Sequence, residues 1–222
     1  MPIELAPGLW RWSARHPEWH PGRFGAEVAS FALESGEALV LVDPLLPVDD
    51  DRRVLDALDR IAGGRSVEIL ITFGYHVRSA EPLRERYGGR IWGPPNCASR
   101  LRDPESLHAL EPGAPGPAGV TAFAIGRPVR GERPLWLPSH RALAFGDAVV
   151  TTPDGDLRLW AQQRLDDRRR RWYRDTFAPT LGALLELPAE RVLVTHGAPV
   201  LENGAAALRE AVAAEAWYHR PG

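Results

Sequence analysis

Four apolar runs, GEALVLVDP (36–44), VEILIT (67–72), ALAFGD (142–147) and RVLVTHG (191–197), each end abruptly at polar residues. Runs of this length, rich in Val, Ile and Leu, are buried strands, and their polar ends mark the loops in which an α/β protein displays its chemical groups. The segments between them set the connections. VDDDRRVLDALDRIAGG (48–64) places Val54, Leu55, Leu58 and Ile61 on one helical face, with aspartates at its start and a glycine pair at its end. After VEILIT come a short helix, AEPLRERYGG, and another strand, RIWGPP. GLWRW (8–12) and EVASFALES (27–35) alternate as half-buried strands, and the Ser-Gly turn after the second makes the start antiparallel.

The Pro/Gly-rich stretch EPGAPGPAG (111–119) is only nine residues long and reads as a surface loop, so residues 1–222 are taken as one domain. Beyond it, strands are expected at 120–125, 134–137 and 142–147, the last two as a hairpin joined by PSHR. Helices are expected over LDDRRRRWYRDTF (165–177), which Pro179 interrupts or after which it begins the next helix, with LGALLEL continuing, and over ENGAAALREAVAAEAWYHR at the C-terminus. Strands, βα units, more strands and βα again amount to an α/β chain with two sheets and helices outside.

The composition excludes several functions. A net charge of -2 offers no footprint for nucleic acid, and Arg168 to Arg171 on a helix point in different directions. The single cysteine, Cys97, read as a small and partly buried apolar residue, excludes an internal disulfide and a multi-cysteine zinc cluster. All 27 basic residues are arginine, so a lysine nucleophile is impossible. No apolar run is long enough for a membrane span, and a cytoplasmic protein is expected, with a small molecule rather than nucleic acid or membrane as its partner.

LVDP (41–44), ILITFGYHVRSA (69–80), AFGDAVV (144–150) and VLVTHGAPV (192–200), taken jointly and in this order, resemble a metallo-β-lactamase-fold hydrolase. The resemblance implies a four-layer α/β/β/α sandwich. It also implies HxHxDH at the second βα junction, a further histidine, the Asp of the GD step and the His of the last strand, together holding one or two Zn²⁺ ions. Imidazole and carboxylate at about 2 Å satisfy Zn²⁺, which turns bound water into hydroxide near neutral pH. This chain departs from the pattern. Without a gap, Phe73, Tyr75 and Arg78 stand at the three histidines and Val77 at the aspartate. Shifted by one residue, His76 becomes the second histidine but Arg78 falls at the aspartate and Ser79 at the last histidine. GRPVRGERP, where the further histidine belongs, has none.

Two functions remain open. One is a non-catalytic protein without a metal, binding a small anionic ligand in the cleft among Asp43, Tyr75, His76, Arg78, Asp147 and His196. The other is a hydrolase of an ester, thioester or lactone, with mononuclear zinc on His76, Asp147 and His196. Arg78 has a second reading as the partner of a local acid. Asp147 and His196 have structural readings, as a turn cap and a hydrogen-bonding residue, and Asp43 is expected to organise the loop. His16, Trp19 and His20 are candidates for the cleft mouth. Ser79 lacks the Gly-x-Ser-x-Gly elbow of a serine nucleophile.

Overall fold

The computed structural model describes residues 1–20, 24–126 and 131–219. Its first sheet runs in chain order: β1 (Ile3–Ala6), β2 (Leu9–Arg15), β3 (Glu27–Ser35), β4 (Ala38–Val42), β5 (Ser66–Leu70), β6 (Arg90–Gly93) and β7 (Leu107–Ala109). The pairs β1 to β4 are antiparallel, and those from β4 to β7 are parallel. Helix α1 (Asp51–Ala62) makes the crossover from β4 to β5, and α2 (Ala80–Tyr87) that from β5 to β6.

The second half holds β8 (Thr121–Ala122), β9 (Leu135–Leu137), β10 (Ala142–Phe145), β11 (Val149–Thr151), β12 (Leu157–Ala161), β13 (Arg191–Val194) and β14 (Trp217–Tyr218). They form a four-stranded sheet ordered β13-β10-β9-β8 and a three-stranded sheet ordered β11-β12-β14. Helices α3 (Asp167–Trp172), α4 (Gly182–Leu185) and α5 (Gly204–Ala213) belong to this half.

The period of two along the strands builds the layers. In β4, Leu39 and Leu41 pack with Val54 and Leu58 of α1, while Val40 and Val42 face inward. In β10, Ala142 and Ala144 meet that same inner core, while Leu143 and Phe145 pack with Leu184 of α4 and Leu208 of α5. The result is helix, sheet, sheet, helix, the expected α/β/β/α sandwich.

Some boundaries differ from the sequence expectation. The strand expected at 120–125 is only β8, and the helix expected at 165–177 becomes α3, then a π-helical turn over Tyr173–Phe177 and a 3₁₀ turn over Ala178–Leu181. Pro179, without an N–H, sits at the start of that turn. The C-terminal helix stops at Ala213, because Ala214 is extended and Trp217 and Tyr218 pair in parallel with Trp160 and Ala161 of β12. Cys97 is fully rather than partly buried, and burial pushes its thiol up to about 12. Among the described residues no helix is long and apolar enough to cross a membrane.

Candidate functional site

Four segments converge at one edge of the sandwich: Asp43 after β4, Thr72–Arg78 after β5, Gly146–Asp147 after β10 and Thr195–His196 after β13. Both β4–β5 and β10–β13 are parallel pairs. Each segment therefore leaves the carboxyl end of a parallel strand, where open α/β sheets present their ligand sites.

Asp43 is the anchor of the floor. It holds a left-handed backbone at φ 47, uncommon for a residue with a Cβ, and is almost fully buried. Oδ1 accepts the Thr72 N–H at 2.8 Å, and Oδ2 accepts the Thr72 hydroxyl at 2.6 Å. His76 Nδ1 lies 2.7 Å from Oδ2, so the same carboxylate fixes the strand end and orients the imidazole. The Asp43 carbonyl accepts from Ser30 Oγ at 2.9 Å and from Arg78 Nη1 at 3.1 Å. Arg78 is itself left-handed, at φ 41.

The far side of the His76 ring meets the second acid. His76 Nε2 lies 3.4 Å and His196 Nε2 3.5 Å from Asp147 Oδ1, which has hydrogen-bond geometry to no protein group. The two flanking glycines are steric requirements. A Cβ at Gly146 would stand 2.6 Å from Thr72 Oγ1; Gly197 has φ 90, and its Cβ would stand 2.4 Å from the Thr151 carbonyl oxygen. The GD and HG steps let the two strand ends close on the floor.

Charge is balanced within the cluster. Burial and Arg78 oppose a charged His76, yet Asp43 and Asp147 outweigh them and raise its pKa. For Asp147, burial is overcome by His76, His196 and Arg78, and the carboxyl falls to about 2. Burial takes His196 down to about 4, with help from Arg78 and His76, so its ring is neutral at pH 7. Arg78, together with a His76 biased toward its charged form, thus stands against two carboxylates, Asp43 and Asp147.

Sequence reasoning missed Glu132. The loop from which the resemblance expects a histidine supplies instead this fully buried carboxyl, which accepts the N–H groups of Gly146, Asp147 and Ala148 at 2.9, 3.1 and 2.8 Å. Burial and Asp147 push it up to about 8, against the pull of two of those N–H donors. The cap of the GD turn is therefore Glu132, not Asp147, whose side chain is left for the floor. Nothing in GRPVRGERP singles out this acid, because its partners are backbone groups on a distant turn.

Arg78 and His196 each face acids of the floor and each keep one buried nitrogen without a protein partner. Arg78 donates to the Asp43 carbonyl rather than pairing bidentately with an acid, and its buried Nε has no protein acceptor. His196 Nδ1 is likewise buried without a partner. Ser79 Oγ accepts the Leu46 N–H at 2.9 Å, a structural role.

Above the floor opens a cleft of about 720 Å³. His16 and Trp19 line it, as expected of the early hairpin, and His20 is exposed. Phe24 rests on His196 with ring centroids 4.8 Å apart, while Phe73 covers His76 at 4.2 Å. Tyr75 is half exposed at the rim, where the Arg100 guanidinium lies 3.8 Å above its ring.

No protein-family model and no curated protein matches the chain. Solved structures do. A metallo-β-lactamase from Pontibacter korlensis superposes with a TM-score of 0.65 at 14% identity, over 97% of this chain and 99% of its own. A β-lactamase domain protein from Burkholderia ambifaria gives 0.64 at 17% identity, over 96% and 70%. A metallo-β-lactamase family protein from Thermus thermophilus gives 0.62 at 17%, over 95% and 78%. The chain has the metallo-β-lactamase fold. This likeness is one of fold.

The zinc centre implied by the resemblance does not fit these side chains. Among the described residues no group of three or more His, Cys, Asp or Glu is arranged to hold a metal ion. His76, Asp147 and His196 come nearest, but the Arg78 guanidinium lies close enough to act against a positive charge at both histidines. A dication placed there would face the Arg78 guanidinium.

Proposed function

We propose that this metallo-β-lactamase-fold protein binds a small anionic ligand in its cleft without a metal. The observation that carries the reading is the Arg78 guanidinium, which lines the cleft, spends one hydrogen bond on the Asp43 carbonyl and keeps a buried Nε–H with no protein acceptor. A carboxylate or phosphate oxygen at this point completes the donor set, and charge-assisted bonds of this kind are the stronger ones. Arg78, together with a His76 biased toward its charged form, offsets Asp43 and Asp147, so an incoming anion meets a cation on the floor as well as acids. The cleft volume falls in the range of small-molecule sites, about 300–1,000 Å³.

Two measurements test this. Elemental analysis of untagged protein purified without chelators should find no stoichiometric zinc, iron or manganese; one equivalent of metal lost on His196→Ala or Asp147→Ala would overturn the reading in favour of a metal-dependent hydrolase. Calorimetric titration with small carboxylates and phosphates should show binding that Arg78→Ala weakens by about tenfold or more, while Arg78→Lys retains part of it. Binding indifferent to Arg78→Ala would also refute it.

A further inference from the structure

Seven buried side-chain nitrogen or oxygen atoms among the described residues lack a protein hydrogen-bond partner, and five of them belong to residues lining this one cleft. These are Trp19 Nε1, Arg78 Nε, Asp147 Oδ1, Trp160 Nε1 and His196 Nδ1. Buried polar groups are paired as a rule, so this concentration marks where a ligand supplies the complement. Three of the five, the two indoles and Arg78, are donors only. The complement is therefore rich in acceptor oxygen.

The apolar part of the same wall is aromatic. Phe24 lies 6.4 Å from Trp160, 4.8 Å from Trp217 and 5.3 Å from His219, ring centroid to ring centroid, and it also covers His196. Trp160 and Trp217 are held side by side by the β12–β14 pairing. Phe73 closes the opposite side over His76. A flat ring matches such a slot, because offset or edge-on aromatic contacts add about 0.5–1.5 kcal/mol beyond area burial.

We propose that the cleft selects an aromatic acid, whose ring packs against the Phe24 and Trp160 wall while its carboxylate reaches Arg78. This rests on the anion reading above and adds to it the class of ligand. The two indole N–H groups then serve ring substituents bearing oxygen.

Isothermal titration with benzoate, cyclohexanecarboxylate and benzamide separates the two ideas, since the first two share the anion and the first and third share the ring. Benzoate is expected to bind at least about threefold more tightly than either of the others. Phe24→Leu and Trp160→Leu should erase the margin over cyclohexanecarboxylate, and Trp160→Phe, which keeps a ring, should preserve it. Thermal melts confirm that each variant is folded. Equal binding of benzoate and cyclohexanecarboxylate overturns the aromatic inference and leaves the anion reading standing. Benzamide binding as well as benzoate, unaffected by Arg78→Ala, overturns the anion reading. No binding of any of these probes up to about 10 mM overturns both.

Discussion

The core between the sheets runs along the same strands whose ends carry the floor of the cleft, yet the two are held by different physics. The core is a period-two pattern: Val40, Val42, Ala142, Ala144 and Leu193 point inward because their strand neighbours point outward. Each contributes through area removed from water, and each is replaceable by something of similar shape. The floor has no such redundancy. Asp43 alone ties the Thr72 backbone, the Thr72 hydroxyl and His76, and with Asp147 it faces the Arg78 guanidinium. Losing one member leaves a buried charge without its counterpart.

The difference predicts where the protein is most fragile. Asp43→Ala should be the costliest single change, at about 3–5 kcal/mol, because it orphans the Thr72 N–H and leaves His76 and Arg78 uncompensated. Urea unfolding followed by far-UV circular dichroism measures it. A loss below about 1 kcal/mol would mean that the floor is held by packing like the core. Leu41→Ala, on the helix-facing side of β4, should cost about 2–5 kcal/mol through cavity formation, while leaving ligand affinity in the folded protein unchanged. A change in affinity would show that the two regions are energetically coupled.

Acid titration is the next test. The His196 pKa falls from 6.5 to about 4 on folding, so the unfolded chain binds the extra proton between those values. The contribution of His196 to stability should therefore fall as pH drops from 6.5 to 4, by about 3 kcal/mol, against the opposite trend of Glu132, and His196→Gln should remove that contribution. Asp147 acts lower down, since its depressed pKa gives stability that is present above 3.8 and lost as pH falls through about 2. His76 has the opposite sign: its raised pKa stabilises the fold below 6.5, and that contribution disappears as pH rises through the folded value. The difference between the stabilities of the two His196 proteins, from urea unfolding at each pH, checks the first window, because the contribution of Glu132 is common to both.

The same contrast explains what could be read in the sequence. LVLV, ILIT and RVLV declare the core because period and apolarity are local properties. GD and HG were legible as steps of a known fold, and the structure supplies their steric reason in Thr72 and Thr151. Glu132 was not legible, since its partners are three backbone N–H groups on a turn 14 to 16 residues away. Nor was the wall: Phe24, Trp160 and Trp217 come together only through β12–β14, in a segment whose composition reads as helix.

Gly146→Ala probes the seam between the two regions. Its Cβ would press on Thr72 Oγ1, the hydroxyl that Asp43 holds, and overpacking of this kind costs about 1–3 kcal/mol. Pairing it with Thr72→Ser, which keeps the hydroxyl, should restore nothing, whereas Thr72→Ala removes the clashing oxygen and should recover part of the loss. Urea midpoints of the two double variants decide whether Oγ1 is the obstacle.

Tyr75 should show the smallest effect, although it belongs to the same junction as His76 and Arg78. Its ring is half exposed and stacks under Arg100 at the rim, an arrangement worth about 0.5–1 kcal/mol at an exposed site. Phe73 also lies 6.0 Å away, but that ring is fixed independently over His76. Tyr75→Ala should therefore lower the urea midpoint by no more than that amount and leave the His196 acid limb unaltered. A loss comparable to that of Asp43→Ala would mean that the charge cluster extends to the rim and that floor and mouth form a single energetic unit.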